Sequence, residues 1–392
     1  MTDAIEPALA ELRTAFGGQV DAVPVVDDAT MGRRVHGIDL SRPLTARQAR
    51  ALIGALDDWQ IVSLPGQHDM TVHDLERVAN HFGAPIPHPS NIDDYLGGSI
   101  RLKPVEHRPS TQVNAAFPGQ VTVRPGGDSA AVYLVTNLIG SGPTATPEVH
   151  GGQHWHTDIE FEAVPLSTSM FLVDRVPAHR GDGGTWVTNP GNEPGFYHPE
   201  SSTLLSERRQ ALPLNGETAY ADTAAAYRSL DEDRRRTLDA VMVRRRLRKD
   251  DEGFLVPLVH VNPRNGMKSL HSPVWASRGK RVAPAQVEGM TADESRHFFD
   301  ELEEHCLAPQ FRYDHPHEPG DVTIWSNYAT LHVAPPTKKF VDDPADARLL
   351  YRISCKGPVS TELPRADTDE WLTANVTPPY RSPLSETTAT SR

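Results

Sequence analysis

The sequence predicts a mainly β protein with flanking helices. Short runs of β-branched and aromatic residues recur along the chain, bounded by turn residues. With 34 Pro and 28 Gly, the chain has the many turns and long loops of a fold in which strands outnumber helices. Helix-period patterns are few, and three of them open on a capping box, which marks each as a separate element.

In chain order, Ile5, Leu9, Leu12 and Phe16 fall at helical spacing, so 5–16 reads as an amphipathic helix. Residues 23–26 and 34–38 read as strands. Thr45 and Gln48 form a capping box, with Leu52, Ile53 and Leu56 as the apolar face behind it. A strand at 59–64 follows. Thr71 and Asp74 open the next helix, with Leu75, Val78, Ala79 and Phe82 inward and Gly83 as its stop. Residues 88–150 are rich in Pro, Gly, Ser and Thr and show one strand, at 131–136; a long segment of this kind reads as a loop over a site. Residues 170–175 form an apolar strand. Residues 178–214 break the pattern and read as an insertion. Helices are expected at 222–227 and 231–246, and a hairpin at 254–272 around the turn Asn262-Pro263-Arg264-Asn265-Gly266. Thr291 and Glu294 cap a helix with Phe298, Phe299, Leu302 and Cys306 inward. Strands at 310–313, 322–325 and 349–354 close the pattern, with a turn at Pro319-Gly320-Asp321 between the first two. The Ser/Thr-rich tail from about 380 reads as disordered.

The chain of 392 residues can bury a substantial core as one large domain or two smaller ones. Its net charge of −13 argues against a nucleic-acid partner, which calls for clustered Lys and Arg. The basic run Arg244-Arg245-Arg246-Leu247-Arg248-Lys249 reads as a solvated helix end. Two cysteines, Cys306 and Cys355, make neither a disulfide framework nor a zinc motif. With no signal-like N-terminus and no apolar run of transmembrane length, a reducing, cytoplasmic setting without membrane contact is expected.

One stretch carries chemistry: Gln153-His154-Trp155-His156-Thr157-Asp158-Ile159-Glu160-Phe161. On a β-strand, His156 and Asp158 would project to the same side. One imidazole and one carboxylate are two-thirds of the facial set that binds non-haem Fe(II) and leaves the opposite face open. A distant histidine would complete it. His150 and His154 are expected to stay outside the set. As a bland alternative, His156 and Asp158 are ordinary polar residues of a surface strand.

Several motifs in order give that stretch its context. They are Val35-His36-Gly37-Ile38-Asp39-Leu40-Ser41-Arg42-Pro43-Leu44, Phe82-Gly83 with His88-Pro89, Trp155-His156-Thr157-Asp158, Pro319-Gly320-Asp321 through Trp325 to Asn327 and His332, and Arg348-Leu349-Leu350-Tyr351-Arg352. In this order the chain resembles the taurine and 2,4-dichlorophenoxyacetate dioxygenase family over residues 23–357. The resemblance implies a double-stranded β-helix, or jelly roll, and an Fe(II)- and 2-oxoglutarate-dependent dioxygenase. O2 and 2-oxoglutarate would be consumed, succinate and CO2 released, and an unactivated C–H bond of a small molecule oxidised, most simply hydroxylated.

Residue by residue, the resemblance makes His156, Asp158 and His332 the metal ligands. Arg352 would meet the far carboxylate of 2-oxoglutarate with its planar fork, with Arg348 as a secondary contact. A threonine completes that pocket in the family. Thr218, in Asn215-Gly216-Glu217-Thr218-Ala219-Tyr220-Ala221-Asp222, is the chosen match, and Thr185, in Gly183-Gly184-Thr185-Trp186, is the runner-up. His88 and Asn91 fall at the family's substrate positions. The taurine enzyme has an asparagine and a tyrosine where this chain has Gly152 and Asn91, which argues against taurine. Related halogenases carry a small residue where Asp158 stands, so hydroxylation, desaturation or cyclisation is favoured over halogenation. The long loops suggest a larger or biosynthetic substrate, as in secondary metabolism. The expected organisation is an N-terminal helix at 1–22, a catalytic domain at 23–357 with 88–150 and 178–214 over the site, and an extension at 358–392. Relatives suggest a homo-oligomer. Two other classes stay open: a non-catalytic jelly-roll binding protein, and a zinc hydrolase, which would have no use for Arg352.

Overall fold

A computed structural model describes residues 5–93, 101–150, 154–161, 166–181, 185–188, 202–277 and 282–356. It is mainly β with flanking helices, as expected. An eight-stranded sheet runs Asp21–Pro24, Arg33–His36, Ile61–Leu64, Val322–Ser326, Leu166–Arg175, Leu349–Lys356, with Ala84–Pro85 and Tyr133–Thr136 both paired to the last of these. Every pairing in it is antiparallel except Arg33–His36 with Ile61–Leu64. A three-stranded antiparallel sheet places Thr218–Asp222 between Arg312–His315 and Thr330–Val333.

Strand alternation decides which side chains meet. On Leu166–Arg175, Met170 and Leu172 point to a core shared with Leu12, Leu52, Leu56, Leu75 and Val78 of the first three helices and with Phe82 just after the third. Phe171 and Val173 point the other way, into a cluster with Trp325 and Leu350 and with Tyr220 and Tyr313 of the small sheet. The two sheets therefore face each other through that cluster. Ala219 and Ala221, on the outer side of the small sheet, pack with Phe299, Leu302 and Cys306 of the helix Ala292–Cys306.

Local signals behave as their chemistry requires. All three capping boxes form, at Thr45/Gln48, Thr71/Asp74 and Thr291/Glu294; losing such a cap costs about 1 kcal/mol. Pro319-Gly320-Asp321 turns with Gly320 at φ 86°, in the left-handed region that a type II turn assigns to glycine.

One expectation is corrected, and two segments gain elements that the sequence did not announce. Residues 231–246 are not one helix: the helix is Glu232–Asp239, and Met242–Arg245 is the central strand of a small sheet. Its alternation buries Val243 and Arg245, and Arg245 donates to the carbonyls of His271 and Ser272, at 2.9 Å each. The first part of the basic run is thus a strand rather than a helix end. Within 88–150, Pro109–Ala116 is helical, and Val113, Phe117, Val121 and Leu138 belong to the helix-side core. That part of the segment packs on the helix side of the large sheet. Finally, within the expected insertion at 178–214, Thr203–Gln210 is a helix bound to Ala292–Cys306 through Arg209 and Glu303, both buried. The extension at 358–392 lies outside the described residues. Among the described residues no helix is long and apolar enough to cross a membrane.

Buried histidines give the fold a defined acid sensitivity. Burial, with Arg264 nearby, lowers His260 to about 4, and burial, with Arg34 nearby, lowers His315 to about 3. Both are neutral when folded and bind a proton more readily when unfolded. Their stabilising contribution is therefore present above the ordinary histidine value near 6.5 and falls as pH drops toward the folded values, by up to about 1.4 kcal/mol per pH unit for each. The melting temperature is expected to fall between pH 6.5 and 4. His260→Phe keeps a ring stacked on Tyr328, 3.9 Å from it in the native pair, and removes one titration, so its pH dependence should be shallower. An unchanged slope would contradict this account.

Candidate metal centre

His156 and His332 are brought together by the main chain. Each donates its N–H to the other's carbonyl, at 3.0 and 2.9 Å, in an isolated antiparallel bridge. The expected strand at 156–158 is thus reduced to one bridge residue followed by a turn over 158–161. The side chains still converge, because bridge partners present their side chains to the same face. The two rings lie 4.4 Å apart between centroids. Asp158 Oδ1 sits 3.7 Å from His156 Nε2 and 3.6 Å from His332 Nε2.

All three residues are buried, and one ligand atom from each lies within 4.8 Å of the others. His156 Nδ1 is 2.6 Å from the carbonyl of His154. A carbonyl only accepts, so Nδ1 carries the proton and Nε2 presents its lone pair to the centre. Burial by itself would raise the Asp158 pKa, but the Arg352 guanidinium beside it holds it well below the usual carboxylate range. The donor set of two neutral imidazoles and one anionic carboxylate fits a divalent iron with open positions. His154 contributes its carbonyl and is not part of the set, as expected, while the His150 side chain lies outside the described residues.

The two arginines separate. Arg352 pairs with Asp158 Oδ2 and lies over the rings of Trp325 and Phe171, at 5.7 and 6.0 Å. Arg348 is buried, and burial, then Arg180, lowers its pKa to about 10. Among the described residues no acid pairs with its guanidinium. It lies close enough to His317 to help push that imidazole's pKa down, after burial and His315. His317 Nε2 is 2.8 Å from Thr218 Oγ1. Thr218 is buried on the strand whose Tyr220 registers opposite His332, whereas Thr185 is exposed. Of the two threonines, Thr218 is the buried one.

His88 stacks on Tyr133 at 3.9 Å, and Tyr133 registers opposite Arg352 on the neighbouring strand. Asn91 is buried, and its amide donates to the carbonyls of Ala130 and Val132, at 3.1 and 2.6 Å. Its donors are committed to the backbone, which anchors that loop. Sequence reasoning missed His317, Ser169 and the role of Asn327. Their signals were polar residues inside apolar strands and the His315-Pro316-His317 run before the glycine turn.

A buried His/Asp/His centre between two facing sheets, with arginines alongside, defines a class: the non-haem iron oxygenases. The model of the taurine catabolism dioxygenase TauD, TfdA family matches residues 24–354, and the chain belongs to that family. Among its relatives, pentalenolactone F synthase of Streptomyces arenae is 29% identical over 334 residues, covering 84% of this chain and 94% of that one. The alpha-ketoglutarate-dependent sulfate ester dioxygenase of Pseudomonas putida is 24% identical, covering 87% and 91%. A putative alpha-ketoglutarate-dependent taurine dioxygenase from Burkholderia xenovorans shares the fold, with a TM-score of 0.54 at 22% identity over 87% of this chain and 91% of that one. The chain is accordingly a 2-oxoglutarate-dependent non-haem iron dioxygenase, using Fe(II), 2-oxoglutarate and O2.

Proposed function

We propose that the chain oxidises an unactivated C–H bond of a small molecule, by hydroxylation, with His156, Asp158 and His332 holding Fe(II). The observation that carries this reading is the convergence of two imidazoles and one carboxylate on one buried point. The far carboxylate of 2-oxoglutarate is assigned to Thr218 and Arg348, with Arg352 as a further co-substrate contact nearer the metal. A buried guanidinium with no acidic partner among the described residues asks for an anion, and the Thr218 hydroxyl and His317 flank the same place. Bound iron would bring O2 and the co-substrate together and supply the oxidant. The protein's part is to hold the donors, orient the co-substrate's carboxylate and keep water away through the Trp325, Phe171 and Tyr220 wall.

His88, on Tyr133, is proposed to face the substrate. The synthase name of the Streptomyces arenae relative supports a biosynthetic intermediate as substrate, with desaturation or cyclisation as the other outcomes open to such a site. The scaffold is proposed to be a double-stranded β-helix. The catalytic domain is placed at 23–357 and the protein in the cytoplasm, as a homo-oligomer.

Anaerobic titration with Fe(II) and then 2-oxoglutarate tests the site. A weak visible charge-transfer band that needs both components is expected. Metal binding without any band would turn the reading toward a binding protein or a hydrolase.

A further inference from the structure

We infer that Ser169, aimed by Asn327 and Trp325, is a positioning residue that keeps Asp158 on the metal through a single oxygen. The inference rests on the ligand set proposed above. It concerns the other half of the carboxylate, which faces away from the histidines.

Asp158 Oδ1 is the oxygen near both Nε2 atoms. Oδ2 accepts from the Ser169 hydroxyl at 3.0 Å. Behind Ser169 stands a chain of hydrogen bonds whose direction is fixed at its far end. The Trp325 indole N–H can only donate, and it donates to Asn327 Oδ1 at 3.2 Å. The other end of that amide must then be Nδ2, which donates to Ser169 Oγ at 2.9 Å. Ser169 has one hydrogen, and a carboxylate only accepts, so that hydrogen goes to Asp158. The Ser354 hydroxyl, 2.9 Å from Ser169 Oγ, is left as a donor to it. Ser169 thereby uses one donor and two acceptor positions, with none to spare. Ser169, Asn327 and Trp325 are fully buried, so no water competes and the hydroxyl has no second orientation of similar energy.

The consequence is coordination number. Three protein donors leave three positions of an octahedron, two for the chelating co-substrate and one for O2. A carboxylate whose second oxygen is released can rotate and chelate the metal with both oxygens, filling one of those positions. Arg352 also touches Oδ2, but it is a long side chain that the proposed co-substrate contact draws away. Ser169 sits within a strand paired on both sides and stays.

Ser169→Ala removes one oxygen and is read against Ser354→Ala, which deletes the same group from the same network without taking the hydrogen off Oδ2. On the full chain, Mn(II) affinity is measured by calorimetry, and 2-oxoglutarate affinity by the anaerobic Fe(II) band. In Ser169→Ala, 2-oxoglutarate affinity should fall about ten-fold, the low end of what losing a partner behind a metal ligand costs, while Mn(II) affinity holds or rises. Ser354→Ala should stay within about two-fold in both. Equal 2-oxoglutarate affinities in the two variants would overturn the inference. So would a parallel loss of metal and co-substrate affinity in Ser169→Ala, since the hydroxyl would then serve the placement of Asp158 as a whole. A wild-type protein without the band would remove the ligand assignment and this inference together; a normal wild-type band with an unaltered Ser169→Ala removes the inference alone.

Discussion

Asp158→Ala is expected to abolish succinate release and the Fe(II)–2-oxoglutarate band together. The substitution removes the single anionic donor of the set and leaves Arg352 facing two imidazoles. A divalent ion placed there would meet an uncompensated guanidinium a few ångströms away, so metal affinity falls by more than the loss of one ligand. The metal-free protein should also suffer. Removing one partner of a buried ion pair costs about 3–5 kcal/mol, and because the Arg352 side chain retains 18% exposure the lower end applies. Denaturant unfolding in the presence of a chelator reads that term apart from metal binding. A variant with normal turnover would refute the ligand assignment outright.

The second large effect is expected at Arg348. Arg348→Ala should weaken 2-oxoglutarate about a hundred-fold and leave Mn(II) affinity within a few-fold, because hydrogen bonds to a charged group contribute about 1.5–3 kcal/mol each and the guanidinium does not touch the metal donors. Lysine should not restore it fully, since one point charge cannot make two parallel bonds to a carboxylate. Arg352→Ala should also weaken 2-oxoglutarate more than iron, but it acts on Asp158 too, so the two arginines can be told apart. Removing the charge of Arg348 relieves a buried cation, so the variant's stability should hold or rise while affinity falls. An Arg348→Ala protein with wild-type 2-oxoglutarate affinity would move the co-substrate's carboxylate elsewhere.

Much of this was legible in the sequence, and where it was not the reasons are physical. Thr45, Thr71 and Thr291 announced their helices because a capping box is a local interaction, complete within four residues. The three metal-site residues were legible because their motifs occur in order along the chain; a His-x-Asp pair by itself is common in a chain with 18 His. The strand at 242–245 was misread because helical and strand patterns are nearly indistinguishable over four residues, and pairing with 254–257 and 286–287 decided the outcome. The division of labour between Arg348 and Arg352 was not legible. The sequence reading put Arg352 first and Arg348 second, and only the arrival of Asp158 at one and His317 at the other separates their surroundings. Ser169 and Asn327 were hidden for the same reason: their meaning lies in partners 11 and 158 residues away along the chain.

The reciprocal main-chain bonds between His156 and His332 also bear on the protein's life before it meets iron. Ligand spacing here is written in the backbone, which is already paid for by the two sheets, and not left to side chains that the metal must gather. Chelation then freezes few rotors. The apoprotein should emerge from synthesis as a folded receptor, able to wait for scarce iron, to exchange one divalent ion for another and to survive a chelator without unravelling.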